Sequence, residues 1–463
     1  MTKAFFSRST TIDADVAMVF AWHARQGAIE RLSPPWDPLT VLRRTGGIRE
    51  GAEVDLKMKS GPFSYVWRAR HTVYEKNNRF VDEQVSGPFA LWQHAHLFHP
   101  ADGNRCRIED RITFRLPFSF ITHPFLAGLV RRQLERIFAY RHRVTATDIQ
   151  MHRAHQGKPR KTVLISGAGG VIGSALVPFL TTGGHHVCKL VRREPAADNE
   201  IFWDPARGAI DRNALEAQKI DAVIHLAGEN VGEGRWTARK KRVIMESRTS
   251  GTALLVEALA GLKDKPAAFL SASAIGIYGH RGNMVMTESD VPGEGFLASV
   301  CENWEAAASA AKAHGIRTVL MRIGVVMTPA GGALQRLLPL FRAGLGGPIG
   351  SGRQYVSWIV LDDAIGAIYH LLMNPEIEGP VNLVAPEPLK NRHLSRSLAQ
   401  ALRRPAVLPV PSIAVKAAFG EMGREAVLSS TRVVPEKLQR TGYAFKYPEL
   451  KNALAHLLGR TTQ

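Results

Sequence analysis

The chain has 463 residues, 45% of them apolar, so it can bury several cores and is not a disordered polymer; its length suits about three domains. Sixty basic against 41 acidic residues give a net charge of +19, but the arginines are scattered through every segment, which argues against a dedicated nucleic-acid binder. Three cysteines, Cys106, Cys188 and Cys301, lack metal-site or CxxC spacing and fit a reduced, cytoplasmic setting; the first residues have no leader-like apolar region, and no stretch reaches the ~18 apolar residues of a membrane span.

Residues 3–11 alternate as a strand does, and Asp13 is placed to cap a helix carrying Val16, Val19 and Phe20 on one face. Pro34-Pro35-Trp36 stops any helix. Strand-like runs follow at 54–59, 63–74, 80–85, 90–98 and 105–115. In the last, Cys106, Ile108, Asp110, Ile112 and Phe114 share one face, the pattern of an antiparallel strand buried on one side. A long amphipathic helix closes the series, with Leu126, Leu129, Val130, Leu134, Ile137 and Phe138 in one stripe and Arg131, Arg132, Arg136 and Arg143 outside it. This succession over residues 1–148 resembles the α+β helix-grip fold of the polyketide-cyclase and START-like (SRPBCC) ligand-binding superfamily. The resemblance implies a curved sheet wrapped around the long helix, with a cavity for an apolar or aromatic ligand between them.

His94 and His96 lie two apart in one strand, with His99 just beyond. No carboxylate or cysteine joins them at ligand spacing in the sequence, so packed or cavity-lining histidines are expected and no metal site. Trp36, Trp67 and Trp92 are expected in core or cavity wall, where large apolar area is removed from water.

Residues 149–161, polar with Gly157 and Pro159, read as a linker. Thr162 to Ile165 then forms a short β-branched run that breaks into Ser166-Gly167-Ala-Gly-Gly170-Val171-Ile172-Gly173, and an apolar-periodic helix starts at Val171. Strand, glycine loop and helix in this order form a dinucleotide cradle. Gly167 permits the turn, Gly170 lets backbone N–H groups approach a pyrophosphate at the helix N-terminus, and Gly173 lets helix and strand pack closely. The next strand, His186 to Val191, ends at Arg192-Arg193, where an NAD site would place a carboxylate for the ribose 2′-hydroxyl. Arginines there favour the 2′-phosphate of NADP, while Glu194 beside them leaves NAD open.

Further on, Ala222 to Gly228 is a buried strand ending in small residues, Thr237 is placed to cap a helix, and Ala267 to Leu270 opens into Ser271-Ala272-Ser273-Ala-Ile-Gly-Ile-Tyr278-Gly279. With Met321-Arg322-Ile-Gly324 and Trp358-Ile-Val-Leu-Asp362-Asp363, the order of motifs resembles the extended short-chain dehydrogenase/reductases, the NAD-dependent epimerase/dehydratase branch. Gly228-Glu-Asn-Val231, Arg235-Trp236, Trp304-Glu305 and Gly350-Ser-Gly-Arg-Gln354 are similar to its atypical nucleoside-diphosphate-sugar epimerase subfamily. Ala385-Pro-Glu-Pro388 through Gly420-Glu-Met422 resembles the C-terminal domain of unknown function that accompanies it. The resemblance implies a Rossmann-type α/β fold with a doubly wound parallel sheet over 162–380 and a family-specific segment over 381–463. It also implies cofactor contacts from Gly167, Gly170, Val171, Ile172 and Gly173, from Arg192 and Arg193, from Leu226, Ala227, Gly228 and Glu229, and from Ala272 and Arg322.

Family members transfer hydride with a Tyr-x-x-x-Lys pair, the lysine tuning the tyrosine and a serine steadying the substrate oxygen. Aligned on Glu305, Leu297 stands for the tyrosine and Cys301 for the lysine, so the pair is absent; Tyr447-x-x-x-Lys451 lies a domain away and contains Pro448. Ser271, Ser273 and Tyr278 remain as hydroxyls expected near the nicotinamide. Two readings follow. One is an NADP-dependent oxidoreductase or epimerase with a non-standard acid/base and a small-molecule substrate; the other is a cofactor-sensing binding protein that has lost the chemistry.

Overall fold

The computed structural model describes residues 3–60 and 63–460, with backbone alone at residues 60 and 119–125; Met1, Thr2 and residues 461–463, included in the sequence divisions above, lie outside the described residues. Strand β1 (Ala4–Ile12) leads to helix α1 (Val16–Ala24). The N-cap of α1 is Asp15, whose carboxylate accepts from the Met18 N–H at 2.7 Å. Asp13, expected in that role, lies two residues early and pairs with Arg153. After α2 (Ala28–Arg31) come β2 (Thr40–Arg44), β3 (Glu53–Ser60), β4 (Phe63–Glu75), β5 (Arg79–Ser86), β6 (Leu91–Ala101) and β7 (Arg105–Arg115). They form one antiparallel sheet in the order β1-β7-β6-β5-β4-β3-β2, and α3 (Ser119–Arg153) packs on it.

The alternation read in β7 is realised: Cys106, Ile108, Asp110, Ile112 and Phe114 are all buried. The stripe on α3 is buried only in part. Leu126 and Leu129 are exposed, and burial sets in at Val130 and Leu134, where Phe6, Ile112 and Phe114 lie opposite. The helix also runs five residues into the expected linker, because Ile149 and His152 turn inward; the connector is 154–161.

The second sheet is built from β8 (Thr162–Ser166), α4 (Val171–Thr182), β9 (His186–Val191), β10 (Glu200–Asp204), β11 (Ala209–Ile210), α5 (Arg212–Ala217), β12 (Ala222–His225), α6 (Ala238–Ala260) and β13 (Ala268–Ala274). β14 (Val285–Met286), α7 (Phe296–Ser309), β15 (Arg317–Ile323), β16 (Val325–Met327), α8 (Gly332–Arg342), β17 (Tyr355–Val356), β18 (Trp358–Val360), α9 (Leu361–Met373) and β19 (Gly379–Leu383) follow. Strand order is β11-β10-β9-β8-β12-β13-β15-β19, parallel except for β11. Alternate residues feed two cores. Val163, Ile165, Ala222 and Ile224 pack with Phe179 of α4 and Ile365 of α9, while Leu164, Val223 and Phe269 pack with Leu255 and Leu259 of α6. This is the doubly wound Rossmann-type sheet.

The C-terminal stretch adds β20 (Leu389–Lys390), α10 (Asn391–Leu402), α11 (Ser412–Phe419), β21 (Arg432–Val433), α12 (Glu436–Arg440) and α13 (Leu450–Leu457). A boundary at 380 cuts β19, whose pairing with β15 extends to Leu383. Beyond it the chain is woven back: β21 pairs with β14, Leu438 enters the central core, and Leu398 and Leu454 pack with Leu334 and Leu338 of α8.

A buried charge network joins the two sheets. Arg31 of α2 donates to Asp148 of α3 through Nε at 2.8 Å and Nη2 at 2.7 Å, and Nη2 also reaches Asp362 of α9 at 3.1 Å. The other oxygen of Asp362 accepts from His456 Nε2 of α13 at 2.8 Å, and Tyr140 and Tyr447 stack on the His456 ring. Burial pushes the Asp362 carboxyl up, but His456 and Arg31 outweigh it and hold the pKa well below the usual 3.8. A depressed folded-state pKa stabilises above the unfolded value and loses that contribution as pH falls. Asp362→Asn is therefore expected to lose about 3–5 kcal/mol at neutral pH, and the gap to wild type in denaturant titrations should stay level down to pH near 4 and narrow below it.

Candidate functional site

The glycine loop between β8 and α4 sits at the carboxyl ends of the parallel strands, where open α/β sheets bind ligands. Gly167 has φ +69°, and a Cβ there would stand 2.9 Å from the Ala227 backbone nitrogen. A Cβ on Gly173 would lie 2.2 Å from the Gly167 carbonyl, so only glycine lets α4 approach its own loop this closely. Ser166, fully buried, accepts from the Leu226 and Ala227 N–H groups at 3.1 and 3.2 Å and contacts His225 Nδ1 at 2.7 Å, which ties the loop to the end of β12.

A groove of about 1140 Å³ runs past this loop, lined by Gly167, Gly170, Leu226, Ala227, Gly228, Glu229, Arg192 and Arg193, as expected from the sequence, and by Lys189, Glu200 and Ser250. An adjoining pocket of about 280 Å³ shares Gly167, Gly170 and Leu226 and adds Val171, Ile172, Gly173 and Ala272. The remainder of its lining is Ile323, Val325, Val326, Gly332 and Ala333, so none of its described lining residues carries a titratable side chain.

At the far end of the groove the two arginines differ. Arg193 donates to Glu200 at 2.8 Å and to the Glu194 carbonyl at 2.8 Å, and Glu200 also accepts from the Ala196 N–H at 2.9 Å. Glu200 is thus spent on the protein. Arg192 is exposed and, among the described residues, makes no side-chain hydrogen bond or ion pair.

The residues expected to do chemistry are elsewhere. Ser271, Ser273 and Tyr278 are buried to 3% exposure or less, and neither the groove nor the adjoining pocket is lined by them. Ser271 donates to the Ala272 carbonyl at 3.2 Å and Ser273 to Glu305 at 2.7 Å. The Tyr278 hydroxyl donates to Asn382 at 2.7 Å and accepts from Arg322 at 3.0 Å. Arg322, expected against the cofactor, is buried in a two-pronged pair with Glu305 at 2.9 Å on each prong. Burial alone would lower its pKa; Glu305 and Tyr278 more than offset that. Ser273 and Tyr278 thus bond within a buried network around Glu305, Arg322 and Asn382, while Ser271 turns to its neighbour's carbonyl.

Leu297 and Cys301, in the places of the tyrosine and lysine, cover the 275–278 turn: a Cβ on Gly276 would meet Leu297 Cβ at 3.3 Å and Cys301 Sγ at 3.9 Å. Burial pushes the Cys301 thiol up to about 11, so it is not a poised nucleophile. The first N–H groups of α7, from Phe296 and Leu297, donate to Glu425 at 3.0 and 2.9 Å. That cap comes from 128 residues away, and no local signal announces it.

Sequence reasoning also missed the groove's outer wall. Gln26, Gly27, Glu30 and Arg44 of the N-terminal segment close it, and Gln26, Gly27 and Arg44 also line a second cavity of about 610 Å³ between the first sheet and α3. The contact is held by hydrogen bonds from Thr181 Oγ1 to the Gln26 carbonyl at 2.6 Å and from Arg25 to the Thr182 carbonyl at 2.8 Å. Trp67, Trp92, Leu134 and Phe138 line the second cavity, with His94 and His96. Trp36 instead meets Tyr140 edge to face near the C-terminal segment.

The histidines are not without carboxylates. Register sets Asp82 of β5 opposite His94, and Asp110 of β7 opposite His96. Burial disfavours charge on His96, but Asp110 and Asp82 reverse this and raise it to about 9, while burial leaves His94 below its usual value. The sequence signal was one of parity: Asp82 follows Phe80, and Asp110 sits between Ile108 and Ile112, all at inward positions.

Fold, glycine loop and groove define an NAD(P)-binding Rossmann protein with a cavity domain in front of it. Residues 163–384 match the NAD dependent epimerase/dehydratase family, residues 12–139 the polyketide cyclase/dehydrase and lipid transport family, and residues 410–457 a domain of unknown function, DUF1731. An epimerase family protein of Mycobacterium bovis is 42% identical over 298 residues, 64% of this chain and 98% of the relative; human epimerase family protein SDR39U1 is 35% identical over 300 residues, 64% and 99%. The chain belongs to the NAD dependent epimerase/dehydratase family. Among solved structures, a nucleoside-diphosphate sugar epimerase from Corynebacterium glutamicum aligns over 98% of this chain and 90% of its own, with TM-score 0.79 and 31% identity. Human SDR39U1 isoform 2, crystallised with NADPH, aligns over 64% and 98%, with TM-score 0.58 and 32% identity. No described helix is long and apolar enough to cross a membrane.

If Tyr278 serves the fold, Tyr278→Phe should destabilise the protein by about 1–3 kcal/mol by stripping partners from buried Asn382 and Arg322. Dinucleotide affinity, followed by nicotinamide fluorescence, should not change.

Proposed function

We propose that this protein binds NADP(H) in the groove and uses the bound cofactor as a regulatory ligand, without sugar-nucleotide epimerase turnover. The observation that carries this reading is the union of a complete pyrophosphate cradle with an adjoining apolar pocket in which nothing titrates. Hydride transfer at a carbon bearing oxygen needs a proton to move on that oxygen, and loss of a positioned acid/base costs about 10²–10⁴-fold in rate. Leu297 and Cys301 cannot act in place of a phenol and an ammonium, and the neighbouring hydroxyls are saturated.

Preference for NADP over NAD is supported by Arg192, unpaired among the described residues at the end of β9, and by Glu200, whose oxygens are already taken. The human relative crystallised with NADPH is in keeping with it. The shared wall of Gln26, Gly27 and Arg44 supports the regulatory part, since an occupant of either cavity touches the same loop. The ligand of the 610 Å³ cavity is then an apolar or aromatic molecule, matched to walls of Trp67, Phe80, Trp92 and Phe138.

Arg192→Asp removes a charge-assisted bond worth about 1.5–3 kcal/mol, so NADPH affinity should fall roughly ten- to a hundredfold while NADH affinity holds. Equal wild-type affinity for both cofactors in calorimetry would end the NADP reading. Incubation with UDP-glucose and related sugar nucleotides should show no product; turnover near the typical ~10 s⁻¹ of enzymes would restore the epimerase reading and place its acid/base outside the residues discussed above.

A further inference from the structure

We propose that Asp82, His94 and His96 form a binding site for one divalent transition-metal ion, zinc(II) or iron(II), at the floor of the N-terminal cavity. Asp82 Oδ1 lies 3.5 Å from His94 Nδ1 and 3.4 Å from His96 Nε2, and the three atoms fall within 4.8 Å of one another.

The other ring nitrogens, His94 Nε2 and His96 Nδ1, each lie 2.8 Å from Asp110 Oδ1. Contacts this short to a carboxylate are made by N–H groups, which puts the ring protons on the Asp110 side. Once an ion displaces the second proton of His96, the lone pairs of His94 Nδ1 and His96 Nε2 are both directed at Asp82, so three Lewis bases converge on one point. A proton shared with Asp82 would draw nitrogen and oxygen to about 2.7–2.9 Å. Separations of 3.4 and 3.5 Å are longer than that. They are close to the edge, about 3.3–3.4 Å, of a tetrahedron about an ion with bonds of about 2.0–2.1 Å.

Asp110 completes the arrangement. Its second oxygen accepts from His142 Nε2 at 2.6 Å, and His142 Nδ1 contacts Thr10 Oγ1 at 2.8 Å, so the carboxylate that orients both ligand rings is itself fixed. Metal-bound imidazoles commonly give their second N–H to such a carboxylate. A dication would balance the charges of Asp82 and Asp110. Two imidazoles and one carboxylate favour a transition metal over magnesium or calcium, which take oxygen donors. Three protein ligands leave at least one position open toward the cavity of about 610 Å³. The ligand class this selects is an apolar or aromatic molecule carrying an anionic oxygen, with Arg141 also on the cavity wall.

The test uses the untagged full chain, stripped with chelator and dialysed against zinc(II) or cobalt(II). About one ion per chain is expected, with the visible absorption of tetrahedral cobalt(II). Asp82→Asn and His96→Gln should each lower affinity at least tenfold, and Asp110→Asn roughly ten- to a hundredfold, while NADPH binding reports that the variants are folded. Retention of the same metal by wild type and variants would overturn the proposal, since 17 histidines offer other sites. If the variants do not fold, the wild type still decides: no tetrahedral cobalt spectrum at one equivalent refutes the site, and its appearance, shifted by added benzoate, supports it.

Discussion

The pairing of Arg31 with Asp148 and Asp362 is the contact on which the rest of the architecture depends. A guanidinium buried to 5% exposure is tolerable only because two carboxylates meet it, and these come from the two sheet systems. Asp362 stands in the first turn of α9, where the helix dipole favours an anion, and its second oxygen is fixed by His456. Cavity domain, nucleotide domain and C-terminal helix are therefore linked at one buried point. From there the relative placement of α1, α2 and α4 follows, and with it the wall that closes the groove.

That wall gives the nucleotide site its character. A Rossmann sheet by itself presents an open crevice at the ends of its strands. Here the loop at Gln26 and Gly27 rests on α4, the helix whose N-terminus faces the pyrophosphate position, and the same loop borders the N-terminal cavity. Two concave sites with a common boundary can influence one another without large motion, because any ligand that shifts the loop changes both.

Outside the groove, the end of β13 is closed by a set of buried polar contacts. Glu305 and Arg322 form a two-pronged buried pair, Ser273 and Tyr278 bind to it, and Asn382 ends the chain of hydrogen bonds. Every polar group there has a partner, and a fully satisfied buried network is rigid. Cys301 and Leu297 pack over it as apolar groups do. The C-terminal segment reinforces the same region by capping α7 through Glu425, so the position of that helix is held by a residue from another part of the chain.

Local physics was legible in the sequence. Glycines at 167, 170 and 173 announce the cradle, because backbone approach depends on their own missing Cβ atoms, and the period of two in β7 announces its buried face, because side-chain alternation is a property of the strand alone. Arg192 at the end of β9 could be read for the same reason. What only tertiary structure decided concerns groups brought together from distant positions. Asp15 displaced Asp13 as the cap by two residues of chain path, and α3 outran its polar composition because Ile149 and His152 found a core. Ser273 and Tyr278, hydroxyls at a strand end, were turned inward by Glu305, Arg322 and Asn382. Asp82 and Asp110 reached His94 and His96 through strand register, which depends on the whole sheet. Parity along β5 and β7 puts those carboxylates on the inward face, but which histidine each one meets is set by register between strands, and one residue of slip would undo it.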